Sequence, residues 1–88
     1  MLCRTITIPD AAQHSLQSLL GVDDAERFCV SVLIQNPTGN SAVFIGEKDF
    51  QKIEIAAASS LTIYPVSLKN LYIKGTTSDD INILVNQQ

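Results

Sequence analysis

The chain has 88 residues, 45% of them hydrophobic, which suffices for one core and leaves no room for a catalytic domain joined to a regulatory one. Nine acidic residues against six basic ones give a net charge of −3, and Arg4, Arg27, Lys48, Lys52, Lys69 and Lys74 are scattered, which argues against a nucleic-acid surface built from clustered cations. No apolar stretch approaches the roughly 18 residues that cross a bilayer, and Met1-Leu2-Cys3-Arg4 lacks the apolar region of a signal peptide, so the expectation is a soluble protein made in the cytoplasm.

Leu2 to Ile8 carries β-branched residues at Thr5, Ile6, Thr7 and Ile8 and reads as a first strand, ended by Pro9. Asp10 reads as an N-cap, Leu16, Leu19 and Leu20 recur at helical spacing, and Gly21 supplies a left-handed stop; the pattern predicts one short amphipathic helix over 11–20. From Arg27 to Gln35, the positions Phe28, Val30, Val32 and Ile34 keep period two, the mark of a strand with one face in the core. The turn-formers Asn36 to Ser41 lead to a strand over 42–46, and Glu47-Lys48-Asp49 forms a polar connection to a strand over 51–55. A turn over Ala56 to Ser60 precedes a strand over 61–66, where Pro65 indicates an edge or a strand end. Strands over 70–74 and 81–86 complete the set, and the segment 75–80 between them has the composition of a hairpin loop. Seven short strands at spacings of roughly 8–12 residues, with one N-terminal helix, define a mainly β chain, a β-sandwich or small barrel, in a single domain over residues 1–88.

Metal binding wants three or four His, Cys or carboxylate groups at ligand spacing, and the sequence has one histidine, His14, which reads as a surface residue of the helix. Nothing couples His14 to Cys29 as base and nucleophile. Asp23-Asp24 and Asp79-Asp80 read as turn residues, without the alternating oxygen ligands of a calcium loop, and no phosphate-cradling glycine motif occurs. Two cysteines are too few for a disulfide framework; Cys3 and Cys29 could pair if their strands adjoin, and the expectation is free, buried thiols. The reading is a protein with no catalytic residue, metal or cofactor.

The aromatic residues carry more information. Phe44 lies out of phase with Val43 and Ile45, Tyr72 with Leu71 and Ile73, and Tyr64 with Ile63, so three strands place a ring on the face opposite the aliphatic one. Either the helix or loops cover that second face, or Phe44, Tyr64 and Tyr72 form a contact surface for another subunit, since such rings are enriched at interface centres. Ser, Thr, Asn and Gln outnumber the charged residues, which makes the surface easier to desolvate.

Gln35-Asn36-Pro37 leading to Val43-Phe44-Ile45-Gly46, then a polar stretch, a serine-bearing turn, Asn70-Leu71-Tyr72-Ile73-Lys74-Gly75 and Ile81-Asn82-Ile83-Leu84-Val85, resembles small virion proteins of tailed bacteriophages. The resemblance spans residues 27–86 and is one of strands and turns; the chain departs from it in carrying Ala56 to Ser60 where a Pro-Gly turn is expected. It implies a small jelly-roll-like β-sandwich and a noncatalytic role as a capsid decoration or cement protein. Such a protein binds the major coat protein, works in the virion after synthesis in the host cytoplasm, and forms homo-oligomers, with trimers favoured by the threefold positions of capsid lattices. A head-fibre base or tail adaptor is the alternative within that class, and a carbohydrate-binding β-sandwich the alternative outside it.

Overall fold

The structure, a computed structural model, describes residues 2–21, 28, 29, 31–64 and 66–86. The strands are β1 (Leu2–Thr7), β2 (His14–Ser15), β3 (Phe28–Cys29), β4 (Ser31–Asn36), β5 (Val43–Glu47), β6 (Phe50–Ile55), β7 (Ser59–Ile63), β8 (Val66–Ser67), β9 (Tyr72–Lys74) and β10 (Asp80–Asn86), with one helix, α1 (Leu16–Leu20). Two four-stranded antiparallel sheets run in the orders β1-β10-β4-β7 and β2-β9-β5-β6, and β3 pairs with β8. Every strand therefore pairs with its mirror image about the Lys48-Asp49 turn: β5 with β6, β4 with β7, β3 with β8, β2 with β9 and β1 with β10. The chain is one long hairpin rolled up into two stacked sheets, which is the jelly-roll arrangement.

Period two produces the core. Ile6, Ile81, Ile83, Val85, Val32 and Ile34 point inward from the first sheet and Val43, Ile45, Ile55 and Ile73 from the second, all buried, with Leu16 and Leu20 of α1 closing one end. On the outer face of the first sheet, Thr5 Oγ1 donates to Asn82 Oδ1 at 2.8 Å and Asn82 Nδ2 to Gln35 Oε1 at 2.9 Å, a polar ladder across three strands.

The helix is shorter than the sequence indicates. Asp10 does not cap it; its Oδ1 accepts the Ala12 N–H at 2.9 Å in a local turn and faces His14 Nε2 at 2.8 Å. His14 and Ser15 are drawn into a ladder opposite Ile73 and Tyr72, so the helix starts only at Leu16, five residues after the expected start, with Ser15 Oγ accepting the Ser18 N–H. The stop is where glycine sets it: Gly21, at φ 70°, donates its N–H to the carbonyls of Gln17 and Ser18.

Three further expectations change. Residues 75–80 are not a hairpin loop, because β9 and β10 belong to different sheets and the segment crosses between them. The strand expected over 61–66 ends at Ile63, leaving Tyr64 beyond β7. Cys3 is free but exposed, because it occupies the outward phase of β1 opposite Leu84, while the side chain of Cys29 lies outside the described residues, as do Asp23, Asp24 and Pro65. Where the resemblance calls for a glycine turn, Ala58 itself takes the left-handed conformation at φ 62°.

Candidate functional site

The two outer faces differ, and the aromatic one belongs to the second sheet. Phe44 projects from β5 between Lys74 of β9 and Glu54 of β6, its directly opposed neighbours, and is 38% exposed. Tyr72 lies on the adjacent strand β9 opposite Gly46, half-buried, while its chain neighbours Leu71 and Ile73 are buried. The phase argument thus places both rings as expected, on neighbouring strands and one diagonal step apart. Tyr64 is 68% exposed but follows a strand of the other sheet, so it is not brought onto the same face.

A bulge shapes this face. Ile45 pairs with Ile53 and Gly46 with Gln51, so Lys52 is an extra residue on β6. Gly46 is required here: a Cβ would run into the Phe50 carbonyl oxygen and sit 3.1 Å from the Gln51 Cα.

The segment before β2 leaves one edge of the sheet and reaches the turn at the opposite edge. Gln13 Nε2 donates to Asp49 Oδ1 at 2.6 Å, and Gln13 Oε1 accepts the Asp49 backbone N–H and the Gln51 Nε2 at 2.6 Å each. Beside this clamp lies an open cleft of about 490 Å³ walled by Phe44, Asp49, Gln51, Lys52, Lys74 and Thr76. A second depression, of about 310 Å³, is lined by Tyr72 with Glu47, Lys48 and Asn70. Sequence reasoning missed the clamp, since Gln13 and Asp49 meet only through the rolled-up topology.

His14 sits opposite Ile73 with its side chain a quarter exposed and bonded to Asp10. The hydrogen bond from His14, with a second from the Ala12 N–H, holds the Asp10 carboxyl below the usual aspartate range. Cys3 lies elsewhere, beside Leu33 and Leu84 on the first sheet, so the two do not form a nucleophile–base pair. Among the described residues no three His, Cys, Asp or Glu side chains converge on a metal-sized site, and no helix is long and apolar enough to cross a membrane.

No protein-family model matches the chain, and searches of curated proteins and of solved structures found no match either.

Proposed function

We propose that this chain is a noncatalytic structural protein that acts by docking onto other protein subunits, as a decoration or cement protein bound to the major coat protein of a tailed-phage shell. The observation that carries the docking reading is the pair of off-phase rings, Phe44 and Tyr72, presented on adjacent strands of the second sheet. Partly exposed rings are enriched at interface centres; here Phe44 stands between Lys74 and Glu54 and Tyr72 beside Glu47 and Lys48, so a partner would meet rings bordered by charges of both signs, and Tyr64 offers a third, separate anchor. The phage assignment is supported by the strand-and-turn resemblance over residues 27–86 and by the jelly-roll order, which viral capsid domains use. Binding would stabilise the shell by mass action, the assembled lattice being held more tightly than its free pieces. A trimer at a threefold position would present three such surfaces at once; a head-fibre base or tail adaptor would use the same surface elsewhere in the virion.

The test is electron cryo-microscopy of the particle that carries the chain. Density for this domain on the coat lattice, lost in a folded Phe44→Ala/Tyr72→Ala variant, is the expected result. Density at a vertex or tail moves the protein to the alternative location, and a particle without the domain overturns the assignment.

A carbohydrate-binding module is the second reading, favoured by the fact that Phe44 and Tyr72 each line a polar depression, the first beside Asp49 and Gln51 and the second beside Asn70. A glycan array separates the two: saturable binding lost with Phe44→Ala supports the module.

A further inference from the structure

Among the described residues the two sheets end in unpaired edge strands, and these are not alike. β1 ends the first sheet with Arg4 on its core side, opposite Ile83, yet exposed, an inward charge of the kind that blocks strand addition. β7, at the other end of that sheet, exposes Ser59, Ser60 and Thr62, and β2 is only two residues long. β6 differs: it is the six-residue outer strand of the second sheet and carries two large exposed hydrophobics, Phe50 at 61% and Ile53 at 54%. Ile53 stands on the same face as the buried Ile45, so its exposure comes from its place at the sheet's rim and not from an outward phase.

We propose that β6 is a self-association edge, pairing antiparallel with β6 of a second copy about a twofold axis at Ile53. Charge complementarity fixes both the partner and the register. With Ile53 opposite Ile53 of the second copy, Lys52 faces Glu54 and Glu54 faces Lys52, two opposite-charge pairs from one short strand. Shifting the register so that Lys52 meets Lys52, or Glu54 meets Glu54, sets like charges face to face, and a one-residue slip puts core-side residues opposite outward ones. Both charged side chains are exposed and neither has an ion-pair partner among the described residues; Lys52 Nζ stands 5.5 Å from the Phe50 ring centroid. The bulge breaks the alternation between Lys52 and Gln51, so the ladder is confined to Lys52, Ile53 and Glu54 of each copy, which makes the contact short and the dimer weak. The Phe50 ring, close to the pairing segment, adds apolar cover at each end of the two-strand ladder.

This contact does not rest on the docking function: it uses the edge of the sheet, whereas that reading uses the rings on its face, and a twofold pair is distinct from a trimer. The test is sedimentation equilibrium of the full chain from about 10 μM to about 1 mM. The wild type is expected to move from monomer to dimer with concentration. Lys52→Glu alone, or Glu54→Lys alone, puts like charges together and weakens dimerisation by at least tenfold. An equimolar mixture of the two single variants recovers dimers, as does the double variant Lys52→Glu/Glu54→Lys, because each restores opposite pairs. A wild type that stays monomeric, one that forms trimers, or single variants that dimerise as well as wild type overturns the proposal; the Phe44→Ala/Tyr72→Ala variant, by contrast, should still dimerise.

Discussion

Replacing Asn36 with alanine tests how three of the cross-sheet connections are tied together. Asn36 ends β4 on the core side and is fully buried. Its Nδ2 donates to the Ile55 carbonyl at 2.9 Å and to the Ser41 carbonyl at 3.0 Å, and its Oδ1 accepts from Asn40 Nδ2 at 3.0 Å. Asn40 in turn donates to the Asp80 carbonyl at 2.7 Å, so one amide links the β4–β5 connection to the end of β6 and the start of β10. Asn36→Ala leaves a buried acceptor on Ile55 unpaired, at about 1–3 kcal/mol, and removes a half-buried bond worth about 1 kcal/mol. A loss of about 3 kcal/mol is expected, out of the roughly 4–13 kcal/mol typical of a domain this size. Urea unfolding followed by circular dichroism should show it as a lower midpoint with an unchanged slope, and Tm should fall by roughly 12–24 °C. Asn36→Leu, which fills the space without the amide, should be about as unstable, because the missing donors and not the missing volume set the cost. Asn36→Asp adds a pH signature. A carboxyl facing two carbonyl oxygens has its pKa raised on folding, so the variant is closest to wild type below the ordinary aspartate range and falls away as the pH rises through the raised value. A loss under about 1 kcal/mol for alanine, or full rescue by leucine, refutes the reasoning.

Two further outcomes follow from the same kind of geometry. Gly46→Ala drives a Cβ into the Phe50 carbonyl and should cost about 2 kcal/mol or more, read as a lower thermal midpoint, with the β5–β6 amide signals shifting first in an NMR spectrum. Asp10 has its pKa lowered by His14 and the Ala12 N–H, so whatever stability its carboxylate contributes is present above the ordinary aspartate range and is lost as the pH falls through the lowered value; the stability difference between wild type and Asp10→Asn should vanish there, as measured by urea titrations at a series of pH values.

The strands were legible because period two is a direct record of which residues face the core: Val32, Ile34, Val43, Ile45, Ile73, Ile81 and Ile83 are buried where their phase puts them. The helix start was not, because Asp10 and Ser15 are both good caps and an apolar stripe of one turn, Leu16 to Leu20, cannot choose between them; the choice was made by Ile73 and Tyr72 recruiting residues 14 and 15. Turn composition at 75–80 marked a reversal but carried no record of which sheet the next strand would join. In the candidate site, Phe44 and Tyr72 announced themselves by breaking the alternation. Gln13, Asp49 and Gln51 left no such trace, since ordinary polar residues 36 and 38 positions apart meet only after the chain has rolled up. The exposure of Ile53 was equally hidden, because its phase is that of a core residue and only its place at the rim uncovers it.

The nested pairing about the Lys48-Asp49 turn also decides how the domain answers to force. Leu2 and Val85 are directly paired, so a pull applied through the two ends of the chain acts on neighbouring residues of one ladder and in opposite directions. The β1–β10 bonds are then loaded one after another, as in a zipper, and not shared along the strand as in shear. Once β1 has peeled away, β10 is still held by β4, so that ladder has to open before tension reaches the mirror pairs further inward, of which the β5–β6 hairpin is the innermost. Force delivered across the sheet faces meets both sheets as stacked layers and does not act along this opening path, so the direction of a load decides whether the ladders are opened one bond at a time.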